Sequence, residues 1–157
     1  MVQITIFIVI GAIIISMGAA MYTYTQNQTN FITANAGESV IVGPVEYTVS
    51  FDGTSKGNKE TIPENTFVKI KITAKNISEE KTGLSGGQFY LIDDKQKKYL
   101  PADGGFSAET LLEPNKPVTV TTQFDAPYDD LKQYKVLIRP AKQQTTSDTA
   151  LICILNC

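Results

Sequence analysis

Residues 66–76 read TFVKIKITAKN, and this stretch decides the fold class. In it, Val68, Ile70 and Ile72 alternate with polar residues, and lysine occupies three of the polar positions, 69, 71 and 75. Successive side chains of a β-strand point to opposite faces of the sheet. The alternation therefore predicts a strand with one face in a hydrophobic core and a solvated, lysine-bearing face in water.

Shorter runs on either side repeat this two-residue period. Turns rich in Gly, Pro and Asn separate them, and the region carries no long amphipathic helical pattern. The sequence therefore predicts a mainly β fold, an antiparallel sandwich of about seven strands over residues 37–142. The further predicted strands are residues 45–51, 89–92, 99–100, 118–124 and 134–138.

The N-terminal segment has no charged side chain before Glu38. Residues 4–24 are almost wholly apolar, and a helix of this length spans about 31 Å, the thickness of the hydrocarbon core of a bilayer. We therefore expect one long hydrophobic helix over residues 1–25 that contacts the lipid bilayer through residues 4–24. A polar spacer rich in Thr, Asn and Gln follows over residues 26–36. Small residues that would allow close helix–helix packing are Gly11, Gly18, Ala19 and Ala20.

Three roles compete for this helix. A single-pass membrane anchor fits the length and composition, although no Lys or Arg flanks the helix to orient it. A cleaved secretory signal usually has a basic n-region, which is missing, and the cleavage-like sequence at residues 34–36 lies well beyond the apolar run. The third role is the core helix of a pilin-like subunit whose basic leader has been removed, because an uncharged segment suits the water-free centre of a filament.

Residues 143–157 comprise a polar linker and an apolar C-terminal strand. The strand TALICIL, residues 149–155, is apolar on both faces, so we expect it to lie centrally in the sheet or against another subunit. On one extended strand Cys153 and Cys157 would lie about 13 Å apart and could not bridge. A turn at Leu155–Asn156 would close an intrachain disulfide, which we expect; bonds to a partner chain and free or metal-bound thiols are the alternatives.

The composition excludes several classes of site. The chain has no His and no Trp, which removes His-mediated catalysis, Ser-His-Asp triads and His-based metal sites. Its 14 Lys and Arg against 16 Asp and Glu give a net charge of -2 without a basic cluster, so we expect no nucleic-acid partner. We also expect no enzymatic activity and no cofactor.

Two short motifs resemble elements of penicillin-recognising serine enzymes. Residues 78–81 match S-x-x-K and residues 81–83 match K-T-G. The two motifs overlap here, whereas the chemistry needs separate elements that converge across a cleft. The sequence therefore predicts one polar turn and no catalytic residues.

Asn27 and Asn76 each begin a glycosylation sequon, which suits an extracytoplasmic chain. Asp93–Asp94 and Asp129–Asp130, with Asp125 nearby in sequence, are candidate calcium ligands because clustered oxygens suit a hard cation. No D-x-D-x-D-G loop is present, so these acids are expected to be solvated turn residues.

Six segments, taken in order, resemble an immunoglobulin-like family of unknown function found in membrane-anchored or lipid-anchored envelope proteins of archaea and Gram-positive bacteria. Its most telling pieces here are Lys75–Asn76 at a strand end and FDAP at residues 124–127. The resemblance implies an immunoglobulin-like sandwich and an envelope location, and it carries no catalytic residues; without a Cys near the N-terminus, lipidation is not supported. The tail, residues 147–157, resembles proteins of ammonia-oxidising archaea. The six segments are residues 37–39, 45–49, 67–78, 86–94, 111–127 and 134–140.

These features lead to two functional hypotheses. The first is a noncatalytic, single-pass protein of the cell membrane whose β domain lies outside and binds other membrane or envelope proteins, as an accessory subunit of a complex. The alternative is an archaeal pilin-like filament subunit, extracellular, with a helical core and a β-sandwich outer shell that binds copies of itself. A basic leader upstream of Met1 would favour the filament.

Overall fold

The structure, a computed structural model, describes residues 2–26, 29–106, 110–141, 144 and 146–157. Within these ranges it contains one long helix, a one-turn 3-10 helix at Gly86–Gln88 and twelve strands. The elements are α1 (Val2–Gln26), β1 (Phe31–Asn35), β2 (Ser39–Val42), β3 (Val45–Ser55), β4 (Thr66–Asn76), β5 (Thr82–Leu84), β6 (Phe89–Ile92), β7 (Lys98–Tyr99), β8 (Pro101–Gly104), β9 (Thr110–Leu112), β10 (Pro117–Ala126), β11 (Tyr134–Ile138) and β12 (Thr149–Leu155).

Ten strands form two five-stranded sheets. The first sheet has the order β1-β12-β11-β6-β7, the second has the order β2-β3-β4-β10-β8, and β5 pairs with β9 alone. The predicted mainly β sandwich is confirmed. One pair departs from the antiparallel prediction, because β1 and β12 run parallel. These two strands come from opposite ends of the domain and are joined by no hairpin, so no tight turn requires them to be antiparallel.

The core lies between the sheets and is built by the alternation seen in the sequence. Ile70 and Ile72 of β4 are fully buried, whereas Lys71 between them is exposed. Tyr47 of β3 packs edge to face on Phe89 of β6, with 5.8 Å between ring centroids. This contact joins the second sheet to the first, and aromatic pairs of this geometry add about 0.5–1.5 kcal/mol beyond the area that they bury.

Both ends of the predicted domain differ from the sequence-based expectation. The predicted polar spacer, residues 26–36, contains β1, whose Ile32 and Ala34 pack against the core. The C-terminal strand β12 lies centrally, between β1 and β11, as one of the two alternatives predicted. It is covered on one face alone: Ile152 is fully buried, whereas Leu151 on the other face is half-buried.

Helix α1 confirms the predicted helix, and its apolar side chains are exposed. Ile15 is 74% exposed and Met21 is 71% exposed. Within the described part of the chain, no helix combines the length and the apolarity that crossing a membrane requires. A Cβ added at Gly11 or Gly18 would meet no atom within 4 Å, so the helix-packing role of the small residues stays a prediction.

Tyr134, the first residue of β11, ties the strand to the preceding loop. Its hydroxyl donates to the carbonyl oxygen of Pro127 at 2.7 Å and accepts from the amide of Asp129 at 3.0 Å. This arrangement resembles the tyrosine corner of immunoglobulin-like sandwiches, in which a Tyr hydroxyl bonds to backbone a few residues upstream. Burial raises the pKa of Tyr134, which keeps the hydroxyl protonated as a donor.

We expect Tyr134→Phe to lower the free energy of unfolding by about 1–2 kcal/mol, because the Pro127 carbonyl and the Asp129 amide lose their partner. Urea unfolding of the full chain in a neutral detergent measures this loss. The matched control is Tyr47→Phe. The Tyr47 hydroxyl is buried, and its interaction with the Gln88 side chain falls short of hydrogen-bond geometry, so its removal should cost clearly less stability than removal of the Tyr134 hydroxyl. Equal losses in both variants would contradict the role assigned to Tyr134.

Candidate functional site

The outer face of the first sheet places three cationic side chains around an apolar floor. Lys135 lies opposite Ile92, and Ile92 lies opposite Lys98 on the next strand. Arg139 follows Lys135 by four residues along the chain and so shares its face. From the usual strand and residue spacings, Lys135 stands about 10 Å from Lys98 and about 13 Å from Arg139. We call this surface the cationic face; it comprises Phe31, Ile92, Lys98, Lys135, Leu137, Arg139 and Leu151.

A cavity of about 530 Å³ lies on this face. Leu137 and Leu151 are opposite each other in neighbouring strands and line the cavity. Leu137 is only 5% exposed, although it points away from the core, whereas Phe31 at the edge strand is 65% exposed. The apolar surface that the cavity exposes is therefore mainly that of Phe31 and Leu151, above a buried Leu137.

Leu151 also lines a second, smaller cavity of about 250 Å³. Lys135 and the disulfide residues Cys153 and Cys157 contribute to the walls of this cavity. The two cavities share Leu151 in their walls, and both lie on the outer face of β11 and β12.

The cations of this face have no ion-pair partner. Neither Lys98, Lys135 nor Arg139 has a carboxylate oxygen within 4.0 Å among the described residues. The guanidinium of Arg139 lies over the ring of Tyr90, with 5.1 Å between its central carbon and the ring centroid. The cations of this face are therefore held without a direct ion pair among the described residues, although Glu38 lines the same cavity as Lys135.

The outer face of the second sheet is different in kind. A row of hydroxyl side chains crosses four strands, and its members bond to one another: Ser39 to Thr48 at 3.0 Å, and Thr73 to Thr119 at 2.9 Å. Each of these hydroxyls therefore has a hydrogen-bond partner on the neighbouring strand. This face also carries the lysines of β4, which fits the solvated face predicted from the sequence.

The predicted disulfide joins Cys153 to Cys157, and the turn predicted between them is present. Asn156 in this turn has a left-handed backbone, with φ at 52°. Its side-chain amide donates to the carbonyl oxygens of Asp130 and, at 3.1 Å, Lys132. The disulfide therefore fixes a residue that holds the β10–β11 loop against the end of β12.

Glycosylation of Asn76 is contradicted by the fold. Asn76 is fully buried, and its amide nitrogen donates to the carbonyl oxygens of Glu80 at 2.6 Å and Leu112 at 3.1 Å. Its amide oxygen accepts from the backbone amide and the hydroxyl of Ser78. A glycan would need the space and the nitrogen that these bonds occupy, so the sequon is a structural turn. The other sequon, at Asn27, lies outside the described residues.

The S-x-x-K motif also belongs to this turn. The Ser78 hydroxyl donates to Asn76 and Glu80, and the Lys81 ammonium pairs with Glu113 at 2.7 Å. Both side chains are thus engaged locally, which agrees with the polar turn predicted from the sequence.

Three of the candidate calcium ligands, Asp93, Asp125 and Asp129, accept hydrogen bonds from nearby backbone amides. Asp125 accepts from the amides of Glu64 and Asn65, and Asp93 accepts from two amides of its own turn and from the Tyr99 hydroxyl. Burial alone would raise the pKa of both carboxyls, but these donors outweigh it and lower both. Burial and the Asp93 carboxylate raise the pKa of Tyr99 to about 12. In the described ranges, no three acidic or Cys side chains cluster as a metal site.

The sequence-based reasoning missed the cationic face. The signal was present in YKVLIRP, residues 134–140, where Val136 and Ile138 point into the core. The same alternation sends Lys135, Leu137 and Arg139 outward, and a leucine between two cations on a solvent face is an unusual combination. The contribution of the neighbouring strands to this face could not be predicted from the sequence, because the fold sets their register.

A family of domains of unknown function, DUF4352, matches residues 34–147. The chain belongs to this family. The match confirms the predicted membership of a β-sandwich family of unknown function, and it extends beyond the predicted domain at both ends. The similarity of the tail to proteins of ammonia-oxidising archaea stays a prediction. No curated protein matches the chain.

Three solved structures share the fold of this DUF4352 protein. The yjhA protein of Bacillus subtilis is 18% identical, with a TM-score of 0.58, over 77% of this chain and 99% of its own. A predicted lipoprotein of the same species, ycdA, is 16% identical, with a TM-score of 0.53, over 74% of this chain and 38% of its own. The secreted protein MPT63 of Mycobacterium tuberculosis is 10% identical, with a TM-score of 0.55, over 82% of this chain and 100% of its own. At such identities the likeness concerns the fold alone.

Replacing both cysteines, as Cys153→Ser with Cys157→Ser, should lower the free energy of unfolding by about 2 kcal/mol, the loop-closure value for so short a loop. Because Asn156 would no longer be held, amide exchange at residues 129–132 should become faster. Hydrogen-exchange mass spectrometry of the full chain measures this. Asn156→Gly is the control, since it keeps the disulfide and the left-handed backbone but removes the side-chain amide. Unchanged exchange in both variants would disprove the coupling between the tail and this loop.

Acid should destabilise the fold partly through Asp93 and Asp125. Each has a lowered pKa in the folded state, so its stabilising contribution is complete above the unfolded value of about 3.9 and is lost as the pH falls through the folded value. The double variant Asp93→Asn, Asp125→Asn should therefore lose stability less steeply between pH 5 and pH 2 than the parent protein does. Glu79→Gln, at an exposed carboxylate, is the control. A parental slope in the double variant would show that other groups control acid unfolding.

Proposed function

We propose that this protein is a noncatalytic extracytoplasmic interaction module, in which the β-sandwich binds other envelope proteins and α1 holds it at the cell membrane. The observation that carries this proposal is a helix with apolar side chains on all of its described sides, exposed and joined to a sandwich with a closed core. Ile13, Ile14 and Met17 are 51%, 64% and 67% exposed. Apolar surface of this extent requires an apolar environment, either lipid or other proteins.

Two further observations support an extracytoplasmic location. The disulfide between Cys153 and Cys157 suits an oxidising compartment. Of the proteins that share the fold, MPT63 is a secreted protein and ycdA is a predicted lipoprotein. Both classes act beyond the cytoplasm, so a common fold used there agrees with the proposal.

The cationic face is the surface through which we propose that the sandwich binds. It combines exposed apolar surface at Phe31 and Leu151 with cations that have no ion-pair partner among the described residues. Interface cores are depleted of charge and enriched in apolar side chains, and a charged rim steers association. The cationic face has this layout, with Leu137 and Leu151 in the centre and charged groups around them.

A second candidate function is a pilin-like filament subunit. The same exposed apolar helix favours it, because helices without charge can pack together in a bundle. The open backbone at Gly11 and Gly18 would allow a neighbouring helix to approach closely.

Extraction of the full-length protein from native membranes tests the two functions. A photoreactive amino acid at position 135, on the cationic face, is compared with one at position 73, on the opposite face. We expect a discrete membrane particle by sedimentation, with other polypeptides cross-linked from position 135 and few from position 73.

Two results would overturn this expectation. Recovery of the protein as a long homopolymer in the sheared extracellular fraction would establish the filament. Equal cross-linking from both positions, or none, would show that the cationic face is not the binding surface.

A further inference from the structure

The cationic face also restricts the chemistry of whatever binds it. We propose that its occupant is an extended acidic segment of a partner protein, with carboxylates facing Lys98, Lys135 and Arg139 and one apolar side chain inserted between them. This inference rests on the proposed function and adds the chemistry of the partner to it.

The first argument is charge complementarity. The three cations have no carboxylate within ion-pair distance among the described residues, although the chain as a whole has a net charge of -2. Elsewhere in the described residues, Lys81 and Lys132 do pair with acidic side chains. A partner with carboxylates would supply the neutralisation that this face lacks.

The second argument is spacing. Lys135 and Arg139 lie on one strand, four residues apart, with Leu137 midway on the same face. An extended segment has the same two-residue period as β11. Carboxylates four residues apart in such a segment would therefore face the two cations, and the residue midway would face Leu137.

The third argument is the cavity. Its volume of about 530 Å³ is far more than a single apolar side chain fills. Phe31 and Leu151 expose apolar surface in its lining, whereas Leu137 and Ile92 are buried beneath. An apolar side chain with flanking backbone would cover the exposed surface of Phe31 and Leu151. A partner with acidic groups alone would leave this apolar surface exposed to water.

The alternative anionic partner, a nucleic acid, fits this face less well. Its phosphates would meet cations about 10–13 Å apart over an apolar floor, whereas its own spacing places a charge every few ångströms. Only three cations would then be neutralised, and the apolar surface would stay uncovered.

The test uses the full chain in a neutral maltoside detergent and a fluorescein-labelled peptide of sequence SESLSES, in which both Glu and the central Leu share one face when the peptide is extended, followed by fluorescence anisotropy. Control peptides replace every Glu by Gln, or the central Leu by Ser. We expect the acidic peptide to bind at least about tenfold more tightly than the Gln peptide, and binding to weaken as salt is raised from 50 to 300 mM. The Ser peptide should also bind more weakly.

Variants locate the site. Lys98→Gln, Lys135→Gln and Arg139→Gln should each weaken binding of the acidic peptide about two- to fivefold, as expected for partly exposed charge pairs. Lys69→Gln and Lys71→Gln, on the opposite face, are matched controls and should leave binding unchanged. Phe31→Ser should weaken binding, whereas Leu131→Ser, at an apolar residue that is even more exposed but lies away from this face, should not.

The outcomes separate this inference from the proposed function. If partners cross-link from position 135 but the Glu and Gln peptides bind equally, the face binds proteins and the acidic chemistry is wrong. Competition by phosphatidylglycerol added to the micelles would show a lipid headgroup as the occupant, and self-association lost in Lys135→Gln would show a second copy of the chain. Either result, or no binding of any peptide, overturns the inference. Peptide binding without cross-linked partners would support the chemistry of the face and overturn the proposed function.

Discussion

The insertion of β12 between β1 and β11 is the interaction on which the first sheet depends. In the order of that sheet, β1 pairs with β12 alone, so β1 would have no strand partner if β12 were absent. On the inner side β12 contributes Ala150 and Ile152 to the core, and on the outer side it contributes Leu151 to the cationic face. One seven-residue strand therefore completes the core and builds the site. The disulfide then closes the turn from which the Asn156 side chain binds the loop that precedes β11.

Helix and sandwich place opposite demands on their surroundings, and this contrast underlies the proposed function. The sandwich buries most of its apolar side chains between its own sheets, and its exposed ones outside the cationic face, such as Ile62 and Leu131, lie in loops. The helix presents apolar side chains that no other part of the described chain covers. The protein therefore has two separate surfaces that require partners: the apolar surface of the helix, and the cationic face, which combines apolar side chains with cations. The first serves attachment and the second serves recognition, because charge confers specificity that apolar contact alone does not.

Several features were predictable because they depend on local pattern. The alternation in β4 depends on which residues are apolar, and it fixes which side chains of that strand enter the core. The disulfide was predictable because two cysteines four residues apart can meet only through a turn, and Asn156 adopts the left-handed backbone such a turn needs. The spacer was misread because β1 has few strongly apolar residues. It is a strand through its parallel pairing with β12, which lies more than a hundred residues away. Asn76 was misread as a glycosylation site, because a three-residue motif does not reveal whether its asparagine is buried.

By itself, the sequence determined the mainly β class, the hydrophobic helix, the central or covered position of β12 and the absence of His-based chemistry, since each follows from residue type and spacing. Tertiary structure alone decided that β1 joins β12 in parallel, that Asn76 is a buried structural amide, and that Lys98, Lys135 and Arg139 share one concave face. These facts depend on strand order and register across distant segments. Register brings together side chains that the chain separates by tens of residues, and no local pattern specifies which strands will be neighbours.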